Sequence, residues 1–466
     1  MLTGRAAETV DAVVARLAEE ALRVAVGGRV NAGKSTLVNA LLGQSLAATD
    51  ATECTTVVTW FRYHHHNRVE VTPRTGPAYH VPSAPGGGVP ADLGRPAAQV
   101  ARVAVEVSNA VLKRHTVVDT PGLDSLTGGG ALDRDSLAAL ASCDALLFVM
   151  PHPGQREQES LTALRAAMDG SGLAVRNTLG VLSRIDQLGD GYGDPWPQAD
   201  RIATRYAARL RGLVSDVIPI AGLLAEAALG DSFTESDAFA LQDLAHATSP
   251  ELRGRILYSP EDFLAEAPVG GEARARLLSL LGLYGIGEAL ALVDDGARGA
   301  VRITRALRAR SGIDRLLDTM RTTFTEDADV LRAQSAITAL DPVLWSPSTP
   351  AEATALSALR ATLDRLRRLP ALRQSEYATL LAEFHAGRLP LPPPAVQDLI
   401  DLATARTDPA RVGLPPTAPT SEIPPAADER IRRWRRLESD YRLPLSRAAQ
   451  SLRETYESIY YHYKTP

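Results

Sequence analysis

The stretch GGRVNAGKST, residues 27–36, restricts the fold of this chain more than any other segment. It follows the apolar run LRVAV and precedes LVNALLG, so it joins a strand to a helix. Gly28, Gly33, Lys34 and Ser35 satisfy the spacing G-x-x-x-x-G-K-[ST] of a phosphate cradle. Glycines let successive backbone N–H groups turn toward one anion, and the helix N-terminus adds its partial positive charge. In such a cradle Lys34 reaches the outer phosphates and Ser35 holds Mg2+, with Asn31, Ala32 and Thr36 completing the loop. Only three lysines occur in the chain, Lys34, Lys113 and Lys464, and one of them sits here, where arginine's planar fork does not readily replace an ammonium.

A cradle of this kind belongs to an α/β sheet, and the surrounding pattern agrees. Short β-branched runs occur at 22–26, 56–63, 69–72, 103–107 and 116–119, followed by DALLFVM, TLGVL and DVIPIA. Helical stretches separate the later runs, which predicts a mixed, mainly parallel sheet. Val10, Val13, Val14 and Leu17 fall on one side of an amphipathic helix ahead of the first strand. Beyond about residue 222 only helical periodicity remains. The Pro/Gly-rich segment 79–97 reads as a surface loop, and 408–425 as a linker or a long connection before the last helix. At 466 residues, two or three domains are expected. The apolar run LLSLLGLYGIG at 277–287 ends at Glu288, is too short to span a bilayer, and reads as a buried element.

Three later segments bear on the nucleotide. In VVDTPG, residues 117–122, Asp119 ends a strand where its carboxylate can reach Mg2+ through water, and Gly122 offers an N–H to the γ-phosphate. In VLSRIDQL, residues 181–188, Asp186 can accept both the N1–H and the amine of guanine, a pair that adenine lacks. The usual guanine pattern is Asn/Thr-Lys-x-Asp; Ser183 and Arg184 stand in its first two places, which predicts reduced guanine affinity more than a switch to adenine. IPIAG, residues 218–222, is a candidate for closing over the base through Ala221 and Gly222. Within TDATECTTVVT, residues 49–59, one threonine should close on Mg2+ and orient the attacking water. Thr55 is the choice because it adjoins the strand; Thr52 and Thr56 are the alternatives.

Taken together, GRVNAGKSTLVNALLG, TDATECTTVVTWFR, VVDTPG and SRID resemble the dynamin superfamily of large GTPases, and more closely the bacterial dynamin-like proteins of the isoniazid-inducible IniC type. LYGIG and RSGIDRLL add to the likeness, which covers residues 5 to about 340 well and the remainder loosely. The resemblance implies an α/β GTPase head over 21–325, with a helical insertion near 225–300. It also implies a neck that includes helix 1–20, and a helical neck and trunk over 326–466. RSGIDRLLDTM would then start the last head helix and FTEDADVLRAQSAITAL enter the neck. It further implies GTP as substrate, GDP as product and Mg2+ as cofactor, with heads that pair with a second copy or with another dynamin-like protein. Hydrolysis on pairing would remodel a membrane. Such heads often carry a polar residue where this chain has Val30, so basal hydrolysis is expected to be slow, with Lys34, Thr55 and Asn31 the catalytic candidates.

Net charge of −5 disfavours a general nucleic-acid binder and, with the long helical half, a ribosome-assembly switch. Two cysteines, Cys54 and Cys143, and a charged opening without a secretory pattern suggest a cytoplasmic protein; the resemblance implies that it is held peripherally at the inner face of the membrane. Anionic lipid could be met by RLPLPPPAV through Leu389–Leu391, or by the arginines Arg430–Arg436 around Trp434; a plain connection and a solvated arginine-rich helix are the alternatives. His64, His65 and His66 lie at a strand end, where neighbours point to opposite faces, so they are poorly placed to share a metal. A rival function is a weakly hydrolysing, nucleotide-gated partner subunit of another dynamin-like protein, favoured by Val30 and Ser183.

Overall fold

The computed structural model describes residues 4–47, 57–122, 134–151, 154–167, 177–188, 194–210, 212–345, 349–367, 369, 372–385, 387–405, 407–440 and 442–464. Helix α1 (Gly4–Ala18) leads into strand β1 (Leu22–Gly28) and helix α2 (Lys34–Leu42). Then come β2 (Thr59–Tyr63), β3 (Arg68–Pro73), β4 (Tyr79–Val81), β5 (Val100–Val107) and β6 (His115–Asp119). Helices α3 (Arg134–Ala141), α4 (Gln155–Ala167) and α5 (Trp196–Arg209) alternate with β7 (Ala145–Met150), β8 (Thr178–Leu182) and β9 (Val217–Pro219). The strands form one sheet in the order β4-β3-β5-β2-β6-β1-β7-β8-β9. Pairing from β6 through β1, β7, β8 and β9 is parallel, whereas β2 meets β6 antiparallel. The central strand β7, ALLFVM, is buried at every position, as expected where helices cover both faces of a parallel sheet.

Segment 79–97 is not wholly loop. Tyr79–Val81 pairs with β3 as an edge strand, three residues being too few for an alternating pattern to show in the sequence. The Tyr79 hydroxyl then donates to Leu93 O at 2.8 Å and fastens the rest of the segment to that edge.

After β9 the chain is helical. Helices α6 (Gly222–Leu229), α7 (Glu235–Ala247), α8 (Pro250–Ile256), α9 (Pro260–Glu266), α10 (Gly271–Asp294) and α11 (Ala300–Ser311) pack over one sheet face. Helix α10 corrects the reading of LLSLLGLYGIG: at 24 residues it is long and apolar enough to cross a membrane by length and composition. Its core-facing side, including Leu277, Leu281, Ile286, Leu290 and Val293, is nevertheless buried against the other helices, and Gly282 (φ 63°) kinks it.

Helix α12 (Ile313–Met320) runs through a single π-helical turn, Arg321–Thr325, into α13 (Ala328–Leu340). Val13 of α1 packs with Ala336, Ile337 and Leu340 of α13. The four residues expected to share a buried face of α1 do not: Val14 and Leu17 are 61% and 48% exposed, because α13 covers only the Val10–Val13 side. Arg16 pairs with the buried carboxylate of Asp144, which also accepts the Arg23 N–H at 2.8 Å. Arg332 of α13 donates to Glu19 O at 2.5 Å. Helix α1 is thus fastened both to the sheet and to α13.

The remaining helices are α14 (Pro350–Arg367), α15 (Gln374–His385), α16 (Pro393–Thr404), α17 (Asp408–Arg411), α18 (Ile423–Glu438) and α19 (Leu443–Lys464). The expected linker at 408–425 therefore contains a helical turn and the start of α18, and two helices follow it. Proline at the first turn of α17 and α18 initiates these helices; it does not keep the chain extended.

Both segments considered for lipid contact have their apolar side chains packed inward to a large extent. Leu389 is 1% exposed, packed with Leu445 and Ala448, and Leu391 is half-buried. Trp434 is fully buried among Leu399, Ile431, Leu452 and Tyr456. Arg430 and Arg433 pair with buried Asp398, Arg432 with Asp428, and Arg435 with Glu457 at 3.2 Å. Only Arg432, Arg435 and Arg436 of that run are well exposed.

Candidate functional site

Parallel strands leave their C-terminal ends at one edge of the sheet, and loops there can converge. Val26 of β1 is in register with Asp119 of β6, and Gly28 with Val149 of β7, so the cradle and the VVDTPG segment emerge side by side. Gly28 has φ 148°, and a Cβ there would lie 2.4 Å from Val149 O; only glycine lets β1 turn at this point. Gly33 adopts φ 89° as the N-cap of α2. Asn31 is exposed in the left-handed region at φ 59°, a strain that non-glycine residues carry chiefly at functional sites.

The charges inside the loop are arranged for an anion and a cation. Lys34 Nζ donates to Arg29 O at 2.9 Å, folding the ammonium back over the cradle. Ser35 Oγ donates to Asp119 Oδ2 at 3.2 Å. Asp119 Oδ1 is buried with no hydrogen-bond partner. Burial raises the Asp119 carboxyl to about 6, a rise that the Lys34 charge and the Ser35 hydroxyl only partly offset. A hydroxyl and an orphaned carboxylate oxygen at the head of a phosphate loop form a hard oxygen donor set, which suits Mg2+. Among the described residues no cluster of three His, Cys, Asp or Glu side chains could hold a metal. His65 and His66 are exposed and His64 is half-buried; His64 Nδ1 meets the His66 backbone, whereas His65 Nδ1 meets the Tyr63 hydroxyl at 3.4 Å.

Gly122 lies directly over the loop: a Cβ there would come 2.2 Å from Val30 Cγ2. Thr120 Oγ1 donates to Val26 O at 2.9 Å, which locks the start of that segment to β1. From the next loop, Ser183 donates its hydroxyl to Ala32 O at 2.7 Å. The side chain expected to touch nucleotide thus braces the cradle. Replacing Ser183 with alanine leaves Ala32 O without this donor, at a cost of about 1 kcal/mol. GDP affinity, followed by fluorescence titration of a labelled nucleotide, is then expected to fall roughly fivefold. An unchanged affinity would mean that the brace does not shape the cradle.

Arg184 is in the left-handed region at φ 53°, opening the short turn Ile185–Gln187 that carries Asp186. The Asp186 carboxyl is half-buried and raised by that burial, with the Arg184 guanidinium opposing the rise. Ala221 departs from expectation: it is 1% exposed and its N–H donates to Ser311 O at 2.9 Å, so neither side chain nor amide faces a ligand. Gly222 does adjoin the cradle, 3.3 Å from Thr36 Cγ2 measured at the Cβ it lacks. Thr55, with Thr52 and Thr56, lies outside the described residues.

One contact at the cradle has no signal in the sequence. Arg29 pairs with the buried Glu157 of α4 at 3.3 Å, tying the cradle to that helix. Nothing in the local sequence around Glu157 signals this, since the pair is 128 residues apart in the chain.

The phosphate loop at the end of β1, the carboxylate at the end of β6, the Ser-Arg-Ile-Asp loop after β8 and the long helical half define a dynamin-like GTPase. A family model described as a 50S ribosome-binding GTPase matches residues 23–175. Isoniazid-induced protein IniC of Mycobacterium tuberculosis, strains H37Rv and CDC 1551, is 33% identical over 442 residues, 91% of this chain and 86% of that protein. The chain belongs to the IniC family of bacterial dynamin-like proteins. A bacterial dynamin-like protein of Nostoc punctiforme is 29% identical over 147 residues, 29% of this chain and 21% of that one. The solved structure of an oligomerised bacterial dynamin pair aligns with 82% of this chain and 76% of its own at 17% identity and TM-score 0.35.

Proposed function

We propose that the chain binds Mg–GTP, hydrolyses it slowly when alone, and couples pairing of its GTPase heads to remodelling of a membrane. The observation that carries the nucleotide part is the buried, unpartnered Asp119 Oδ1 beside Ser35 at the mouth of the cradle. In this reading Lys34 exchanges Arg29 O for the outer phosphates, and the N–H groups of Asn31 to Thr36 surround them. Ser35, Asp119 and Thr55 are the residues that would hold Mg2+, which supplies charge neutralisation at the phosphates when bound. Gly122 presents its N–H toward the γ-phosphate, and Asp186 accepts the guanine donors with Arg184 beside it. Ser183 acts by holding Ala32 in place.

Residues 21–325 form the head in this proposal, with the helices of 225–300 inserted into it. Helix α1 and α13 belong to the neck, and 326–466 continue as neck and trunk. The packing of Val13 on Ala336, Ile337 and Leu340 supports that division. The protein would act at the inner face of the cell membrane as a peripheral component, its heads meeting a second copy or another dynamin-like protein.

Val30 favours a second reading. It is 56% exposed in the loop, where it offers no hydrogen bond to an attacking water, and so suits a nucleotide-gated subunit that hydrolyses little. Phosphate release from GTP and from ATP, measured with and without anionic liposomes over a range of protein concentration, separates the two. Turnover of GTP alone that rises with protein or liposome concentration is the expected result. GTP binding without turnover in any arm would favour the subunit, and preference for ATP would remove both.

A further inference from the structure

A second cleft, of about 540 Å³, opens at the opposite end of the sheet from the cradle. Its floor is apolar, made by Val24 of β1, Leu41 of α2, Val117 of β6, and Leu317 and Met320 of α12. Its remaining wall carries Lys113, Arg114, His115, Arg321 and Thr325, so every ionisable side chain lining it is basic. Strand rise of about 3.3 Å per residue places His115, first in β6, about 13 Å from Asp119, last in β6, so this is not part of the nucleotide site.

Charge at the mouth comes chiefly from Lys113 and Arg114, both exposed. Arg321 is held by Glu326 at 2.6 Å, with Asp318 at 3.8 Å. Burial, and then the Arg114 charge, lower the His115 pKa, so the imidazole is neutral at pH 7 and hydrogen-bonds Thr325 Oγ1 at 3.2 Å. Val111 stands 38% exposed at the rim, an apolar side chain left in water beside a basic one. Size within about 300–1,000 Å³, an apolar floor and a few convergent polar groups are the features of a small-molecule site.

We propose that this cleft binds an anionic amphiphile with a single acyl chain, its tail on Leu317 and Met320 and its acid group between Lys113 and Arg114. An apolar floor disfavours a bare anion, and a basic rim disfavours a neutral hydrocarbon. The wall that closes the cleft is the π-helical turn Arg321–Thr325, which joins the last head helix to α13. Single π turns inside helices frequently mark functional positions. A bound chain would pack against Met320 and rigidify this junction, so the ligand would set how freely α13 moves relative to the sheet.

Calorimetry of the full chain with dodecanoate below its micelle concentration tests the proposal, with dodecanol and inorganic phosphate as separate arms. One-to-one dodecanoate binding is expected, with dodecanol at least tenfold weaker and phosphate showing no heat. Val111→Glu and Arg114→Glu alter exposed residues and should leave GDP affinity unchanged, while each weakens dodecanoate at least tenfold. Amide exchange at 321–325 should slow on binding. Equal affinity for dodecanol, binding of phosphate alone, or dodecanoate affinity unchanged in both variants would overturn the assignment, as would the absence of any dodecanoate heat.

Discussion

Lys34→Ala is expected to lower GTP and GDP affinity by at least roughly thirtyfold, with the fold intact. The ammonium is the cation that the cradle directs inward, its Nζ lying 2.9 Å from Arg29 O across the loop. Truncating one partner of a desolvated charge pair typically costs about 2–5 kcal/mol, which is roughly 30- to 5,000-fold in affinity. Its hydrogen-bond acceptor is a backbone carbonyl, but its charge also offsets part of the burial of Asp119, so removing it should lower the thermal midpoint of the nucleotide-free protein modestly without unfolding it. Fluorescence titration with a labelled guanine nucleotide, beside a melt of each variant, reads both quantities. Retained affinity would remove Lys34 from the phosphate site and with it the proposed function.

Asp119→Asn should separate binding from stability in opposite directions. The unfolded carboxyl has a pKa of 3.8 and the folded one is raised to about 6 by burial. Between those values the folded state holds more protons than the unfolded, so stability falls as pH rises through that window and stays lowered above it. At roughly 1.36 kcal/mol per pKa unit, the ionised side chain costs the nucleotide-free protein on the order of 3 kcal/mol at pH 7. The asparagine variant, which carries no charge, should therefore be more stable by up to that amount at pH 7 and about equal to wild type below pH 4. Urea titrations in Mg-free buffer across that range measure the difference. Magnesium-dependent GTP affinity should fall at least tenfold in the same variant, since a neutral amide is a poor ligand for a hard cation. A variant less stable than wild type at pH 7 would show that Asp119 is satisfied by the protein itself.

Much of the α/β sheet could be read from the chain because its signals are local. β1, β3, β6, β7 and β8 are short apolar runs bounded by turn residues, and each lies within a residue or two of where periodicity puts it. The cradle is contiguous, so its glycines, Lys34 and Ser35 came as a set. Edge strand β4 escaped because three residues cannot display alternation. The surroundings of Leu389 and Trp434 stayed open for another reason: a leucine beside prolines, or a tryptophan among arginines, looks the same whether its partner is lipid or another helix. Only the packing of α18 on α19, and the buried Asp398 that draws in Arg430 and Arg433, decides between them. Ser183 bracing Ala32, and Arg29 meeting Glu157, join residues more than a hundred positions apart, which no window of sequence can show.

The tie between Arg16 and Asp144 bears on where this molecule can be cut. Asp144 has a side chain wholly shielded from water, and burial raises its pKa even with Arg16 beside it. A fragment beginning at Leu22 would strand that carboxylate without its guanidinium and strip the cover from Ile337 and Leu340. Helix α1 is therefore structural support for β1 and β7 as much as an outlying arm, and a minimal catalytic fragment should retain it, together with α13.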